Sequence, residues 1–447
     1  MPTGWKRPIF PLASFPCYLA SLVFQAQSGT VRSEQQKNNG VTRDGVDSTY
    51  AWTRLVLTLI LSTIGGIGMW SVVVALPAVQ TDFGVARADA SLSYALTMIG
   101  FGVGGIILGR LSDRFGILPP VVIGILCLTL GYAAAASAST LWQYSLAHGL
   151  LIGFGSSATF APLLADTSHW FSRRRGIAVA IIASGNYLAG TVWPPVVQHF
   201  IETSGWRQTF VGISILCVAT MLPLVFALRR RAPTDHDVAV TITRDPAKHS
   251  LPLGLSPPAL QNMLIVAGVC CCVAMSMPQV HLVAYCGDLG YGPARGAQML
   301  SLLLGCGIIS RLTFGWISDH IGGLRTLLIG SSMQCLALLL FLPFDGLVSL
   351  YVIAALFGLF QGGIVPSYAI IIREYFPSKE AGARIGIVIT ATLMGMALGG
   401  WMSGVIFDLT GSYRVAFLNG IAWNVVNMAI ALMLLSRSRK WGIAVAA

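Results

Sequence analysis

The chain has 447 residues, of which 55% are hydrophobic and only 10% are charged, and its mean hydropathy is +0.73. Soluble proteins carry about 25% charged residues, so this composition excludes a water-exposed globule and predicts an integral membrane protein. The net charge of +11 would suggest nucleic-acid binding in a soluble protein. Here the basic residues fall between apolar runs, and we interpret them as topology signals.

Several function classes lack their sequence signatures. The nine cysteines lie almost entirely in apolar segments, without the histidine spacing of a metal site, so we expect buried reduced thiols. The sequence contains no phosphate-binding loop motif and no arrangement of Ser, His and Asp typical of a hydrolase. We therefore expect neither an enzyme nor a protein with a metal or cofactor.

Twelve apolar runs of about twenty residues follow a polar start, and each is long enough to cross a bilayer as a helix. We predict an all-α membrane protein with a disordered cytoplasmic tail at 1–53, a six-helix bundle at 54–228, a cytoplasmic linker at 229–258, a second six-helix bundle at 259–435 and a cytoplasmic tail at 436–447. The predicted spans are 55–79, 91–108, 117–138, 141–164, 176–200, 209–228, 259–286, 294–313, 324–341, 347–372, 385–407 and 415–435.

The distribution of basic residues predicts the orientation. With both termini in the cytoplasm, 23 of the 28 Lys and Arg residues lie inside and Arg311 lies within the membrane; the four outside are Arg87, Arg207, Arg295 and Arg414. This asymmetry is the positive-inside pattern. We expect a multi-pass protein of the plasma, or inner, membrane.

The two sets of six helices repeat each other. The segment Gly-Arg-Leu-Ser-Asp-Arg-Phe-Gly at 109–116 returns as Gly-Trp-Ile-Ser-Asp-His-Ile-Gly at 315–322. Two further pairs match at corresponding positions, 170–176 with 375–382 and 205–210 with 411–417. Two similar halves joined by a polar link predict a carrier that works by alternating access.

The Gly-x-x-x-Asp-Arg-x-Gly segment and its weaker copy resemble the signature of the major facilitator superfamily, and the resemblance covers about 54–435. Segments 173–195 and 278–290 are similar to the monocarboxylate transporter and oxalate/formate antiporter branch. In that branch an arginine on the eighth helix meets the substrate carboxylate. The resemblance implies this role for Arg311.

Arg311 is a lone charge in an apolar run, where it costs about 3 kcal/mol on insertion scales. Such a residue usually faces a water-filled path or a partner. The alternative is that Arg311, four residues before Gly315, extends its side chain to the membrane surface. Candidate substrate-binding residues around Arg311, each of which could instead bond a neighbouring helix, are His281 and Tyr285, four residues apart after Pro278, and Asn186, Tyr187, Gln361 and Ser367.

We interpret the repeated segment as a cytoplasmic latch in which Gly109 and Gly315 end their helices. Family resemblance and the repeat imply that Asp113 faces the start of the eleventh helix and Asp319 the start of the fifth. The alternative is a solvated loop held inside by its arginines. The predicted latch residues are Gly109, Arg110, Asp113, Arg114, Gly116, Gly315 and Asp319.

Differences from the related carriers narrow the range of substrates that we expect. Gly307 stands where proton-coupled relatives have an acid one turn before the arginine, and the first helix lacks their lysine. The eleventh helix lacks the second cation that suits a dianion in oxalate-type antiporters, which favours a monoanion. Proton coupling would then use His281 or the substrate's own proton.

We therefore expect a secondary transporter, a symporter or antiporter of small monocarboxylates or related organic anions. Its partners would be the anion, the lipid bilayer, and protons or a counter-solute, without nucleic acid. The alternatives are an efflux carrier for amphipathic compounds, which would not depend on Arg311, and a receptor with a transporter fold and no flux.

Overall fold

The computed structural model describes residues 46–172, 174–230 and 252–440. In these residues twelve helices are long and apolar enough to cross a membrane, which confirms the predicted all-α fold of two six-helix bundles. They are α1 Thr49–Phe83, α2 Arg87–Phe115, α3 Leu118–Ala136, α4 Leu141–His169, α5 Ile177–Ser204, α6 Trp206–Ala227, α7 Pro257–Asp288, α8 Pro293–Ile321, α9 Gly323–Leu340, α10 Leu347–Tyr375, α11 Glu380–Thr410 and α12 Tyr413–Ser438.

Three helices extend into segments that the sequence assigned to tails and linker. Helix α1 begins at Thr49, where the Ser48 hydroxyl accepts a hydrogen bond from the Ala51 amide and caps the helix. Helix α7 begins at Pro257, and α12 continues to Ser438. Most of the predicted tails and linker, 1–45, 231–251 and 441–447, lies outside the described residues.

The repeated glycine segments are helical, so the prediction that Gly109 and Gly315 end their helices is wrong. Helix α2 continues to Phe115 and stops at Gly116, whose φ is 83°. Helix α8 continues to Ile321 and stops at Gly322, whose φ is 82°. The last glycine of each segment therefore supplies the positive φ with which the chain leaves the helix. The segments are the final turns of α2 and α8.

Glycines allow close packing within each bundle. A Cβ on Gly100 of α2 would lie 1.9 Å from the Gly149 carbonyl oxygen of α4. In the second bundle, a Cβ on Gly395 of α11 would lie 2.6 Å from the Val269 carbonyl oxygen of α7. The pairs Gly149/Gly153 and Gly395/Gly399 therefore belong to fixed contacts within one bundle.

The two bundles meet at one end of the molecule, which we name the closed end. It comprises the ends of α1, α5, α7 and α11 and the starts of α2, α8, α10 and α12. There, a Cβ on Gly400 would lie 2.9 Å from Tyr94 and one on Gly404 would lie 2.6 Å from Ser91, so α11 packs closely on α2.

The opposite end, which we name the open end, comprises the ends of α2 and α8 and the starts of α5 and α11. A Cβ built on Gly109, Gly315, Gly382 or Gly386 would have no neighbour within 4 Å. Among the described residues, the bundles therefore pack closely from the closed end inward, and these four glycines of the open end have open space beside them.

We predict that Gly100→Ala destabilises the protein, because the added methyl group collides with the α4 backbone. Gly212→Ala on α6 is the matched control, since its Cβ would have no neighbour within 4 Å. Thermal unfolding of the purified protein should show a midpoint lower by several degrees for Gly100→Ala only. Equal midpoints for the two variants would contradict this packing.

Candidate functional site

Arg311 lies well inside the membrane span of α8. It follows Pro293 by 18 residues, which places it about 27 Å along the helix and ten residues before the end at Ile321. Its neighbours Ile309 and Leu312 are 56% and 58% exposed on the outer surface of the bundle. The half-buried Arg311 side chain instead contacts α5 of the other bundle.

The guanidinium of Arg311 is held by two neutral groups of α5. Its Nη1 donates a hydrogen bond of 2.7 Å to the Ala183 carbonyl oxygen. Its central carbon lies 4.3 Å from the centre of the Tyr187 ring, a cation–π contact. The buried Nε has no hydrogen-bond partner among the described residues. The arginine therefore retains an unused donor at the interface between the bundles.

The half-buried Arg311 differs from the buried arginines Arg54 and Arg87 in having no acid partner in the described part of the chain. Arg54 pairs with Asp166 at 2.8 Å, and Arg87 pairs with Asp288. A cation that is removed from water and lacks a carboxylate is costly. This site is thus electrostatically suited to an added anion.

Gly307 lies one turn before Arg311 on the same face of α8. A Cβ there would lie 2.3 Å from the Tyr187 ring, so the ring occupies the space that any side chain at this position would need. The absence of an acid at Gly307 is therefore a steric requirement of the Tyr187–Arg311 contact.

Two of the predicted site residues, Arg311 and Tyr187, come together at the α5–α8 interface, whereas Asn186 faces α1 of its own bundle. The backbone carbonyl of Asn186 accepts a hydrogen bond of 3.1 Å from Trp70 Nε1. Its side-chain Oδ1 is buried and has no partner among the described residues. Helix α5 is interrupted at Ser184, directly before this group.

Gln361 and Ser367 lie on α10. The Gln361 Oε1 accepts a hydrogen bond of 2.8 Å from Gln279 Nε2 of α7, whereas its own Nε2 is buried and without a partner in the described residues. Ser367 donates its hydroxyl to the Gly363 carbonyl of its own helix, at 2.9 Å. Gln361 thus keeps a donor available and Ser367 does not.

His281 and Tyr285 lie towards the closed end. The residues that they contact differ from those that Arg311 contacts. Both rings contact Tyr413 of α12, with centroids 5.6 and 5.3 Å away, so they share a face of α7 as their spacing predicts. His281 is fully buried and bonds Tyr413 and the Gly400 carbonyl. These residues connect α7 with α11 and α12.

Arg87, at the start of α2, is the main polar contact between the bundles. Its guanidinium pairs through both terminal nitrogens with Asp288 at the end of α7. It also donates a hydrogen bond of 2.7 Å to the Tyr413 hydroxyl and lies 4.4 Å from the centre of the Phe407 ring. One side chain of the first bundle therefore binds three helices of the second.

Asp408 of α11 caps the start of α2. Its carboxylate accepts hydrogen bonds from the backbone amides of Arg87 at 3.0 Å and Ala88 at 2.7 Å. These amides have no partner inside their own helix, and the helix dipole favours an anion there. The carboxylate thus stabilises contact between the two bundles.

Sequence reasoning missed this closed-end network, which consists of Arg87, Asp288, Asp408 and Tyr413. It counted Arg87 only as one of four outside basic residues. The signal that could have found it is the placement of an acid at the end of α7 and another at the end of α11, beside a basic residue at the start of α2.

The predicted latch residues lie at the open end. Arg110, Asp113, Arg114 and Asp319 are exposed, and the structure shows no bond from Asp113 to α11 or from Asp319 to α5 among the described residues. The latch stays a prediction for a conformation in which this end closes.

The family model of the Major Facilitator Superfamily matches residues 58–354 and residues 307–445. The chain belongs to the Major Facilitator Superfamily. It is a multi-pass membrane protein of a transporter family, and it resembles the monocarboxylate transporter branch.

Monocarboxylate transporter 13 of Rattus norvegicus is 29% identical over 349 residues, which are 77% of this chain and 78% of that protein. Monocarboxylate transporter 11 of Homo sapiens is 30% identical over 332 residues, 69% of this chain and 66% of that protein. A solved bacterial homolog of the human lysosomal transporter Spinster, inward-facing and unoccupied, matches with a TM-score of 0.65 and 12% identity. That match covers 88% of this chain and 98% of the Spinster homolog, and it supports the fold alone.

We predict that Asp408→Ala speeds hydrogen exchange of the first amides of α2, because they lose their cap. A cap is worth about 1 kcal/mol, which corresponds to about fivefold faster exchange. Hydrogen–deuterium exchange mass spectrometry of the segment that starts at Arg87 measures this. Asp89→Ala, an exposed acid in the same turn, is the control and should leave exchange nearly unchanged; equal acceleration by both variants would contradict the capping role.

Proposed function

We propose that this protein is a secondary carrier for small monocarboxylates or related organic monoanions, and that it works by alternating access. The observation that carries the proposal is the Arg311 guanidinium. It lies within the span at the interface between the bundles, with neutral partners and an unused Nε donor. A carboxylate would supply the missing negative charge and accept from the guanidinium in a two-bond geometry.

Polar atoms on α8 and α10 that lack a hydrogen-bond partner among the described residues support a ligand with several hydrogen-bond acceptors. Arg311 Nε and Gln361 Nε2 are donors, and the buried Ser310 hydroxyl, which can donate, also lacks a partner in the described residues. Carboxylate oxygens are acceptors with about four lone-pair sites. Buried donors of this kind are satisfied when an anion or water enters.

The charge count on α11 supports a monoanion over a dicarboxylate. Between 385 and 410 this helix has no Lys or Arg. Arg384, just before, pairs with Glu380 at 2.7 Å and is thereby neutralised. Arg311 alone balances one carboxylate.

The arrangement of the bundles supports alternating access. If both termini are cytoplasmic, the closed end faces outside and the open end faces the cytoplasm. Arg311 would then be reached from the cytoplasm in this conformation. Opening of the closed-end network, with closure at the latch residues, would expose the site to the other side.

The relatives named monocarboxylate transporters support the same substrate class. We place the carrier in the plasma, or inner, membrane.

The first test replaces the arginine. Arg311→Lys keeps a charge but loses the planar fork, and Arg311→Gln loses the charge. A hydrogen bond to a charged group is worth about 1.5–3 kcal/mol, so we expect uptake at low substrate concentration to fall at least about tenfold in both variants. Counterflow in proteoliposomes against a panel of labelled monocarboxylates, with an amine as negative control, measures this.

Arg295→Gln is the matched control, because this exposed arginine lies near the start of the same helix and bonds only Gln298 in the described residues. It should transport like the parent protein. Normal monocarboxylate transport by Arg311→Gln would overturn the proposal and favour an amphipathic efflux carrier. Ligand binding without flux would favour the receptor alternative.

A second test changes the space beside the arginine. Gly307→Ala places a methyl group on the Tyr187 ring, which must leave its position over Arg311. We expect a raised KM for the anion, because the arginine loses its support. Gly305→Ala is the control, since its Cβ would lie an ordinary 3.4 Å from Thr191. Equal KM values in the two variants would show that the Tyr187 contact does not position Arg311.

A further inference from the structure

A continuous chain of hydrogen bonds crosses between the bundles at the closed end. It starts at Asp288, which pairs with Arg87 of the other bundle. Arg87 Nη1 bonds the Tyr413 hydroxyl at 2.7 Å, and this hydroxyl lies 3.2 Å from His281 Nδ1. His281 Nε2 lies 2.7 Å from the Gly400 carbonyl oxygen. Four helices, α2, α7, α11 and α12, therefore meet through one imidazole and one hydroxyl.

The chemistry of the chain determines where its protons lie. The Gly400 carbonyl only accepts, so His281 Nε2 carries a proton and donates it. The Arg87 guanidinium only donates, so the Tyr413 oxygen accepts from it. The Tyr413 proton is then free to point at His281 Nδ1, which accepts it only when the imidazole is neutral. The closed end is thus built for neutral His281.

We propose that His281 is a proton-binding site whose occupation releases the closed end. A proton on Nδ1 turns this nitrogen into a donor, so the Tyr413 hydroxyl loses its acceptor. Two cations, His281 and Arg87, then compete for one hydroxyl oxygen. Like charges at this distance repel, and the repulsion is strong where water is excluded.

The neighbouring acids offset the added charge only in part, because each already has partners of its own. Asp288 is already paired with Arg87, and Asp408 accepts from two α2 amides. The described titratable or charged groups that face this region are Arg87 and Tyr94 from α2, Asp408 from α11, Tyr413 from α12, and Tyr285 and Asp288 from α7 itself. Because both acids have partners, protonated His281 would lack a free carboxylate among them.

The consequence is a closed end that responds to pH, whichever solute the carrier moves. The closed conformation holds His281 neutral, and an open conformation that separates Arg87 from Tyr413 accepts the proton. Lower pH therefore favours opening. One proton changes the ratio of open to closed molecules by at most about tenfold per pH unit.

Spin-label distances test this on the full-length protein without any substrate. Thr203 at the end of α5 and Val348 at the start of α10 are exposed at the closed end on opposite bundles. Cysteines introduced there report the separation of the bundles, and the protein without them gives the background from native cysteines. We expect longer distances to gain population between pH 8 and pH 5. An unchanged distribution would overturn the proposal.

Substitutions assign the response to the imidazole. His281→Gln does not titrate, so its distances should be independent of pH. His148→Gln is the matched control, because this histidine is equally buried but lies within the first bundle, and it should keep the response. Tyr413→Phe, which removes the linking hydroxyl but keeps the imidazole, should weaken the response, and it serves as the test if His281→Gln does not fold. A pH response that persists in His281→Gln, or that is undiminished in Tyr413→Phe, would refute the proton site.

Discussion

The Arg87 guanidinium joins the two bundles at the closed end. It binds Asp288 and Tyr413, while Asp408 caps the amides at the start of its helix. Helix α2 has 29 residues, about 44 Å at 1.5 Å per residue, and it packs tightly inside its bundle. A rigid bundle fixed at one end can separate from its partner only at the other.

Two arginines at the bundle interface show how the same side chain serves different purposes. Arg87 has its full set of protein partners, including a carboxylate, and so stabilises one conformation. Arg311 rests on a carbonyl oxygen and an aromatic ring, which weakly compensate its charge. The first suits a contact within the protein, and the second suits a partner that arrives from solution.

Local patterns and internal repeats were sufficient to predict the helices, their grouping and the family resemblance. The contact between Arg311 and Tyr187 could be predicted in part, since both residues were predicted to belong to one site. The end of α2 was misplaced because a glycine in a helix and a glycine after it look alike in sequence; only the φ of Gly116 distinguishes them. Arg87 and Asp288 are 201 residues apart, and no local pattern joins such residues.

The contact between Gly307 and Tyr187 also limits how this carrier can change through mutation. A Cβ at Gly307 would overlap the ring, so an acid introduced there is tolerated only after Tyr187 becomes smaller. If the Tyr187 ring is lost first, Arg311 loses the cation–π contact that supports it. The two positions are therefore expected to change together among natural relatives, and each intermediate between the two pairings carries a cost in stability or in transport.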